Sequence, residues 1–242
     1  QGVINIITRE ASGANENLVS ATEGNGGIAD VSAHLGKTGA DLDYRITLAY
    51  RADNGFDTAV LNDGSATRLA NLRANFHPNP INSFDVQLGY SEGARQEGIA
   101  GRTTDPFDDV KVSSSFQQAT WLHALPQFDE LKLNYYHIYR KSEDGSNSPV
   151  SNIVAHRQEL ELQHTLHSDA SNRLVWGGGI RSDSAEAPYA MGGAQSLHQS
   201  RLFAHDEWRV TDAAVLNAGA MLENDGMGHR NTSPRASLNY HL

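Results

Sequence analysis

The 242-residue chain contains no cysteine and no long hydrophobic run. The lack of cysteine excludes a disulfide framework, a thiolate metal site and a thiol nucleophile. No stretch approaches the roughly 20 consecutive apolar residues that a transmembrane helix requires. Transmembrane β-strands give a much weaker signal in each segment, so this second absence leaves them open.

The chain also lacks a positive charge balance and a recognisable catalytic motif. Its formal net charge is -10, which disfavours nucleic acid as a partner. It contains no G-x-S-x-G nucleophile elbow and no phosphate-binding glycine loop. Its 11 histidines are scattered, and none has an H-E-x-x-H or comparable metal-ligand spacing. We therefore expect a protein that is not an enzyme and that holds neither haem nor a histidine-ligated metal.

What the sequence does contain is a regular alternation of apolar and polar residues. It is clearest in DLDYRITLAYR, and it recurs in RLANLRANF, SFDVQLGYS and RASLNYHL. A period of two places alternate side chains on opposite faces of a β-strand, whereas a helix would scatter them around its axis. The predicted apolar set is Leu42, Tyr44, Ile46 and Leu48, and the predicted polar set is Asp43, Arg45 and Thr47.

The alternation predicts about twelve strands of roughly ten residues each, which is the length of a tilted transmembrane strand. The predicted spans are 16–24, 27–36, 41–52, 66–76, 82–92, 112–125, 129–141, 152–166, 172–183, 198–211, 213–223 and 232–242.

The connections between these strands alternate in length. GKTGAD, HPNPIN, LPQFDE, HSDASN and TDA are short and rich in turn-forming residues, and longer polar segments separate them. In a meander, alternate connections emerge at opposite ends, so one end has tight turns and the other has long loops. This asymmetry is typical of an outer-membrane barrel with periplasmic turns and extracellular loops. We therefore predict an all-β fold, an antiparallel transmembrane β-barrel meander whose apolar face contacts lipid and whose polar face lines the lumen.

Three segments resemble those of one protein family. GVINIITR at 2–9 resembles the last plug strand of TonB-dependent outer-membrane receptors, ELKLNYYHIYRK resembles one of their barrel strands, and SPRASLNY resembles a Ser-Pro-Arg turn followed by such a strand. The resemblance implies that 1–10 form the terminal strand of the plug domain. It also implies that 11–242 form the N-terminal part of a barrel of about 22 strands in a longer protein. We expect 1–8 to lie inside the barrel or against its inner surface, because this run is apolar without alternation.

The resemblance further implies a receptor in the bacterial outer membrane. Such a receptor binds a scarce ligand and imports it to the periplasm when TonB pulls on the plug. Iron–siderophore complexes are the commonest ligands in the family, so we expect a ferric siderophore, with TonB and outer-membrane lipid as further partners. Cobalamin or another nutrient is the alternative within the family. A small passive outer-membrane channel and a soluble β-rich binding module are the alternatives outside it.

Ligand contacts are expected in the long connections, chiefly 52–66, 92–111 and 182–197, because loops on a rigid scaffold carry recognition. Arg95 and Arg102 are the candidate ligand-binding residues, since a cationic side chain attracts an anionic ferric siderophore.

A second group of loop residues carries hard oxygen ligands. Asp53, Asp57 and Asp63 lie in a segment with glycines and are weak candidates for a Ca²⁺ site. Their spacing does not match the EF-hand pattern, and a solvated acidic loop is the commoner explanation. We expect no other cofactor.

Overall fold

The computed structural model describes residues 11, 17–56, 58, 60–103, 107–144, 152–187 and 191–240. The predicted plug strand at 1–10 lies outside the described residues, so its placement stays a prediction. No helix in the described part of the chain is long and apolar enough to cross a bilayer. The twelve strands are β1 (Leu18–Gly24), β2 (Ile28–Lys37), β3 (Leu42–Asp53), β4 (Ser65–Asn79), β5 (Asn82–Glu97), β6 (Asp108–Ala124), β7 (Glu130–Asp144), β8 (Ile153–Asp169), β9 (Asn172–Ala187), β10 (Gly193–Thr211), β11 (Ala214–Asn224) and β12 (Arg230–Tyr240), with a 3₁₀ turn at Pro126–Phe128.

All twelve strands form one antiparallel sheet in chain order, from β1 to β12. Each strand pairs with its sequence neighbours, so the predicted all-β meander is confirmed. Within the described residues, β1 and β12 are the two edges of the sheet. Between these edges, each strand exchanges its backbone hydrogen bonds with a neighbour on both sides, which satisfies its donors and acceptors.

The register confirms the two predicted faces. Ile46 lies opposite Leu72, which lies opposite Leu88, while one position away Arg45, Arg73 and Gln87 form a parallel row. We call the side of the sheet that carries Ile46 the apolar face and the side that carries Arg45 the polar face. The full predicted sets follow this division, with Leu42, Tyr44, Ile46 and Leu48 on the apolar face and Asp43, Arg45 and Thr47 on the polar face.

The apolar face has no protein packed against it among the described residues. Leu42 and Leu48 are 45% and 48% exposed, whereas Asp43 on the polar face is only 8% exposed. The buried hydrophobic residues of the described part are only Ala11, Val110 and Ala187. An exposed apolar surface of this extent marks an interface with a membrane or with another protein.

The connections alternate between the two ends of the sheet, and the three longest, 54–64, 98–107 and 145–152, all lie at one end, as predicted. The difference in length is not strict, because 25–27, 188–192 and 225–229 at that end are no longer than 125–129 at the other. At the short-turn end they cover 38–41, 80–81, 125–129, 170–171 and 212–213, and at the long-loop end they cover 25–27, 54–64, 98–107, 145–152, 188–192 and 225–229. The predicted bounds of two long loops were wrong. The connection expected at 92–111 covers 98–107, and the one expected at 182–197 covers 188–192.

The strands are longer than predicted because they continue as paired ribbons beyond the apolar stretch. Strands β4 to β10 contain 15 to 19 residues each. A bilayer-spanning strand needs only about 9–11 residues. Apart from Val110 and Leu197, the additional residues of β5, β6, β9 and β10 are polar or small, which made them resemble loops. Cross-strand pairing still satisfies their backbone groups.

The assignment of the two faces predicts a large difference between neighbouring substitutions in the full-length protein. Ile46→Arg should lower the free energy of unfolding in lipid vesicles by about 2–4 kcal/mol, because it places a cation at the lipid midplane. Thr47→Arg is the matched control and should cost far less, because Thr47 lies on the polar face. Equal losses in denaturant unfolding would contradict the membrane assignment.

Candidate functional site

The first polar cluster of the polar face is centred on the carboxylate of Asp85 in β5. Arg73 donates to Asp85 Oδ2 from Nε at 3.0 Å and from Nη2 at 2.7 Å. Asn75 Nδ2 donates to the same oxygen at 2.7 Å, and Gln87 Nε2 donates to Oδ1 at 2.9 Å. Because Asp85 lies opposite Asn75 on β4, the register brings all these donors to one point. We call these four residues the Asp85 cluster.

The Asp85 cluster also contacts the N-terminal region of the chain. The backbone N–H of Ala11 donates to Asn75 Oδ1 at 3.1 Å, and Ala11 is fully buried. Asn75 therefore uses its amide oxygen for Ala11 and its amide nitrogen for Asp85. This contact places residue 11 against the polar face, which is the face that the prediction assigns to the lumen.

A second polar cluster spans β8 and β9. Arg157 Nε donates to Asp183 Oδ1 at 2.5 Å, and Arg181 Nε donates to Asp183 Oδ2 at 2.8 Å. Arg157 lies directly opposite Asp183, and Arg181 is two residues away on the same face. The Asp183 carboxylate thus accepts from one arginine on each oxygen, which fixes both guanidinium groups against the sheet.

Arg201 of β10 binds two carboxylates of β8 next to this cluster, where Glu159 lies opposite Arg181. Its Nη2 donates to Glu159 Oε1 and Glu161 Oε2, both at 2.5 Å, and its Nε lies 3.1 Å from Glu161 Oε2. The Tyr136 hydroxyl of β7 donates to Glu159 Oε2 at 3.0 Å. Arg201 crosses β9 to reach β8, and Gly179 of β9 lies between them in the same row. A side chain at this glycine would occupy space close to the Arg201 side chain, since an added Cβ would lie 3.4 Å from Arg201 Nε.

The two groups together form a neutral wall cluster of three arginines and three carboxylates. Its charged members are Arg157, Arg181, Arg201, Asp183, Glu159 and Glu161. Because its charges balance, the cluster contributes little net field for attracting a charged ligand. Its side chains can donate and accept hydrogen bonds to a molecule that lies against the polar face.

The structure places Arg95 in strand β5 and not in a loop, which corrects the prediction. Because β5 extends to Glu97, Arg95 pairs in register with Ser65 and Val110 on the polar face, near the long-loop end. Its Nε donates to Glu97 Oε1 at 2.6 Å, so its charge is already partnered. Arg102 lies in the 98–107 connection, is exposed, and its backbone N–H donates to the Ile99 carbonyl at 3.1 Å. No described hydrogen bond or ion pair joins Arg95 to Arg102.

The proposed calcium ligands are used for other contacts in the described part of the chain. Asp53 accepts from the Gly55 N–H at 2.8 Å and from the Ser65 hydroxyl at 2.8 Å. Asp63 accepts from the Phe56 N–H at 3.1 Å. Asp57 lies outside the described residues. Among the described residues, no group of three or more carboxylates or histidines is arranged to hold a metal ion.

Sequence reasoning missed the Asp85 cluster and the neutral wall cluster. The sequence does show pairs of charged residues two positions apart in a predicted strand, as in Glu159 and Glu161 or Arg181 and Asp183. That spacing shows that two side chains share a face. It does not reveal the cross-strand partner, because the partner depends on register.

The β11–β12 connection contains a carboxylate whose pKa is lowered. Asp225 accepts from the Met227 N–H at 2.7 Å, from the His229 N–H at 3.1 Å and from His229 Nδ1 at 2.9 Å. The Met227 N–H is the largest cause of the lowered pKa, because it stabilises the ionised carboxylate. The hydrogen bonds that hold this turn, which lies at the long-loop end, therefore depend on an ionised aspartate.

Solved structures with the same fold come from outer-membrane receptors. The siderophore receptor PirA from Pseudomonas aeruginosa matches with a TM-score of 0.68 and 14% identity, over 96% of this chain and 38% of that chain. The ferripyoverdine receptor of the P. aeruginosa outer membrane matches with a TM-score of 0.63 and 12% identity, over 93% and 40%. The copper transporter OprC matches with a TM-score of 0.60 and 12% identity, over 92% and 40%.

These proteins are TonB-dependent outer-membrane receptors, and the twelve-stranded antiparallel meander of this chain matches part of their β-barrels. The predicted resemblance is thus confirmed at the level of the fold. The chain spans about two fifths of the length of these receptors. No family model matches the sequence.

Removal of the Asp85 carboxylate should destabilise the full-length protein markedly. Asp85→Ala removes the carboxylate that accepts four hydrogen bonds, two of them from the Arg73 side chain, which is only 14% exposed. We expect a loss of about 2–4 kcal/mol in denaturant unfolding, because these hydrogen bonds and the ion pair lie in a largely buried cluster.

The matched control is Glu92→Gln on the same strand. Glu92 lies 4.0 Å from Arg68, and both side chains are at least half exposed. This substitution should cost less than about 1 kcal/mol, as exposed ion pairs do. Similar losses for Asp85→Ala and Glu92→Gln would show that the cluster is not a stabilising element.

The Asp225 turn should lose protection in acid. Its lowered pKa means that the stabilising contribution is complete above the ordinary value of 3.8 and is lost as the pH falls through the folded value. The protection factors of the Met227 and His229 amides, which compare their exchange rates with the intrinsic rates at the same pH, should therefore fall in that range, and Asp225→Asn should remove this pH dependence. The same loss of protection in acid in the Asp225→Asn protein would contradict the assignment.

Proposed function

We propose that this chain forms part of the barrel wall of a TonB-dependent outer-membrane receptor that imports a small ligand. The observation that carries the proposal is the two-faced, twelve-stranded meander whose apolar face has no protein cover among the described residues. A soluble β-sandwich buries its apolar face against a second sheet. Here lipid is the phase that would cover it, which supports localisation in the bacterial outer membrane.

The receptor is favoured over a small passive channel for two reasons. The solved structures that share the fold are receptors and transporters, and this chain matches about two fifths of each. In addition, β1 and β12 remain edges of the described sheet, and an unpaired edge is unfavourable in lipid. Further strands of a larger barrel would pair with both. TonB would act through a plug that belongs to the rest of the protein, and the proposed function contains no enzymatic step.

A ferric siderophore is the ligand that we propose. Support comes from the structural neighbours, of which PirA is a siderophore receptor and another binds ferripyoverdine. The copper transporter among them favours a copper ion as the second candidate. Arg102, which is exposed and has no ion pair with a described residue, is the stronger candidate contact for an anionic ligand. Arg95 is the weaker candidate because Glu97 already neutralises it.

The test is uptake by the full-length receptor in cells with and without TonB. The combined variant Arg95→Gln/Arg102→Gln should weaken binding of an anionic ferric siderophore at low salt, and the loss should shrink as salt screens the charges. Lys37→Gln, which removes a cation at the short-turn end, is the matched control.

Each outcome of this experiment bears on a different part of the proposal. TonB-independent uptake would contradict the receptor assignment. Unchanged affinity in the double arginine variant would remove both residues from the ligand site. An equal loss from Lys37→Gln would contradict the assignment of the long-loop end to the cell exterior. Copper uptake without siderophore uptake would select the second candidate.

A further inference from the structure

The apolar face becomes polar toward the long-loop end, and this change is abrupt. Leu48, Ala70 and Tyr90 form one row across β3 to β5. The next row toward the long-loop end consists of Tyr50, Arg68, Glu92, Ser113 and Lys141, each directly opposite the next. The side chains of this second row share a face with Leu48, and so they point away from the polar face.

Three cationic side chains line a groove on the long-loop side of this boundary. The groove has a volume of about 480 Å³, and it is lined by Tyr50, Arg68, Tyr90, Glu92, Lys111, Lys141 and Glu143 among others. We call these seven residues the outer groove. Its position on the lipid-facing side separates it from the clusters on the polar face and from the candidate ligand contacts.

The charges of the outer groove are only partly compensated. Lys141 Nζ lies 2.7 Å from Glu143 Oε1, and the Tyr90 hydroxyl donates to Glu92 Oε2 at 2.9 Å. Arg68 Nη1 lies 4.0 Å from Glu92, and its side chain is 75% exposed. The Lys111 side chain makes no ion pair or hydrogen bond with any described residue. The groove therefore keeps positive charge on Arg68 and Lys111 that is available to an anion.

We propose that the outer groove binds the phosphate group of a phosphorylated glycolipid in the outer leaflet of the membrane. Arg68 and Lys111 contact the phosphate, and Lys141 contributes charge from the next strand. Tyr50 and Tyr90 lie at the boundary with the apolar row, where aromatic rings occupy the interface between acyl chains and headgroups. A soluble ligand is disfavoured because the groove opens on the side that the bilayer surrounds. This inference rests on the proposed outer-membrane location.

The experiment uses the full-length receptor purified from its membrane. Phosphorylated glycolipid that remains bound is measured by mass spectrometry for the wild type, for Arg68→Gln/Lys111→Gln/Lys141→Gln and for the control Lys37→Gln. Lys37 also lies on the apolar face but at the short-turn end. The triple variant should retain about tenfold less lipid. Each cation near an anionic membrane surface increases lipid binding by up to about fivefold, and Glu92 and Glu143 in the groove weaken this attraction.

Two added probes separate the source of the phosphate. Purified lipopolysaccharide should raise the melting temperature of the wild type more than that of the triple variant, and enzymatically dephosphorylated lipopolysaccharide should not. Inorganic phosphate at the same concentration should have no such effect. Equal stabilisation by inorganic phosphate, or by the dephosphorylated lipid, would overturn the assignment of a lipid phosphate.

The failure of the inference can be distinguished from the failure of the proposed function. If the wild type fractionates with the outer membrane but the triple variant retains as much lipid as Lys37→Gln, the outer groove is not a lipid site. If the wild type does not fractionate with the outer membrane, the proposed function is wrong and the inference falls with it.

Discussion

The whole structure depends on cross-strand backbone pairing in a sheet that has one apolar and one polar face. Each strand from β2 to β11 is hydrogen-bonded on both sides, so its backbone polar groups are satisfied without water. That leaves the side chains free to be apolar on one face and charged on the other. A one-residue slip of any strand would exchange the two sets, which is why the alternation strongly determines the register.

The fold was therefore predictable from local pattern. Ile46 and Arg45 differ by one position, and the period of two was enough to assign them to opposite faces before any pairing was known. The turn residues located the short connections, because HPNPIN and HSDASN have few other conformations available. The limits of the long loops were not predictable in this way. Apart from Val110, residues 93–97 and 108–111 are polar or small, and only their pairing with each other shows that they are strand.

The candidate sites were less predictable, because they depend on which strands meet and at what offset. Arg201 reaches Glu159 and Glu161 across an intervening strand, a contact between residues about 40 positions apart. Arg95 lies near the long-loop end but in β5 and not in the predicted loop, and its partner Glu97 became evident only once both were seen to point to the same face of β5. The outer groove depends on register in the same way, since Tyr50, Arg68 and Lys141 come from three different strands.

The central claim is that the apolar face contacts lipid and the polar face contacts water, and accessibility at neighbouring positions of β5 tests it most directly. Single cysteines would replace Leu88 and Gln87 in the full-length receptor, and each would carry a fluorophore in lipid vesicles. The account predicts strong quenching by a nitroxide on the lipid acyl chain at position 88 and little at position 87. A water-soluble quencher should act on neither position 88 nor its neighbours on the apolar face. Equal quenching of both positions from water, with none from lipid, would contradict the account.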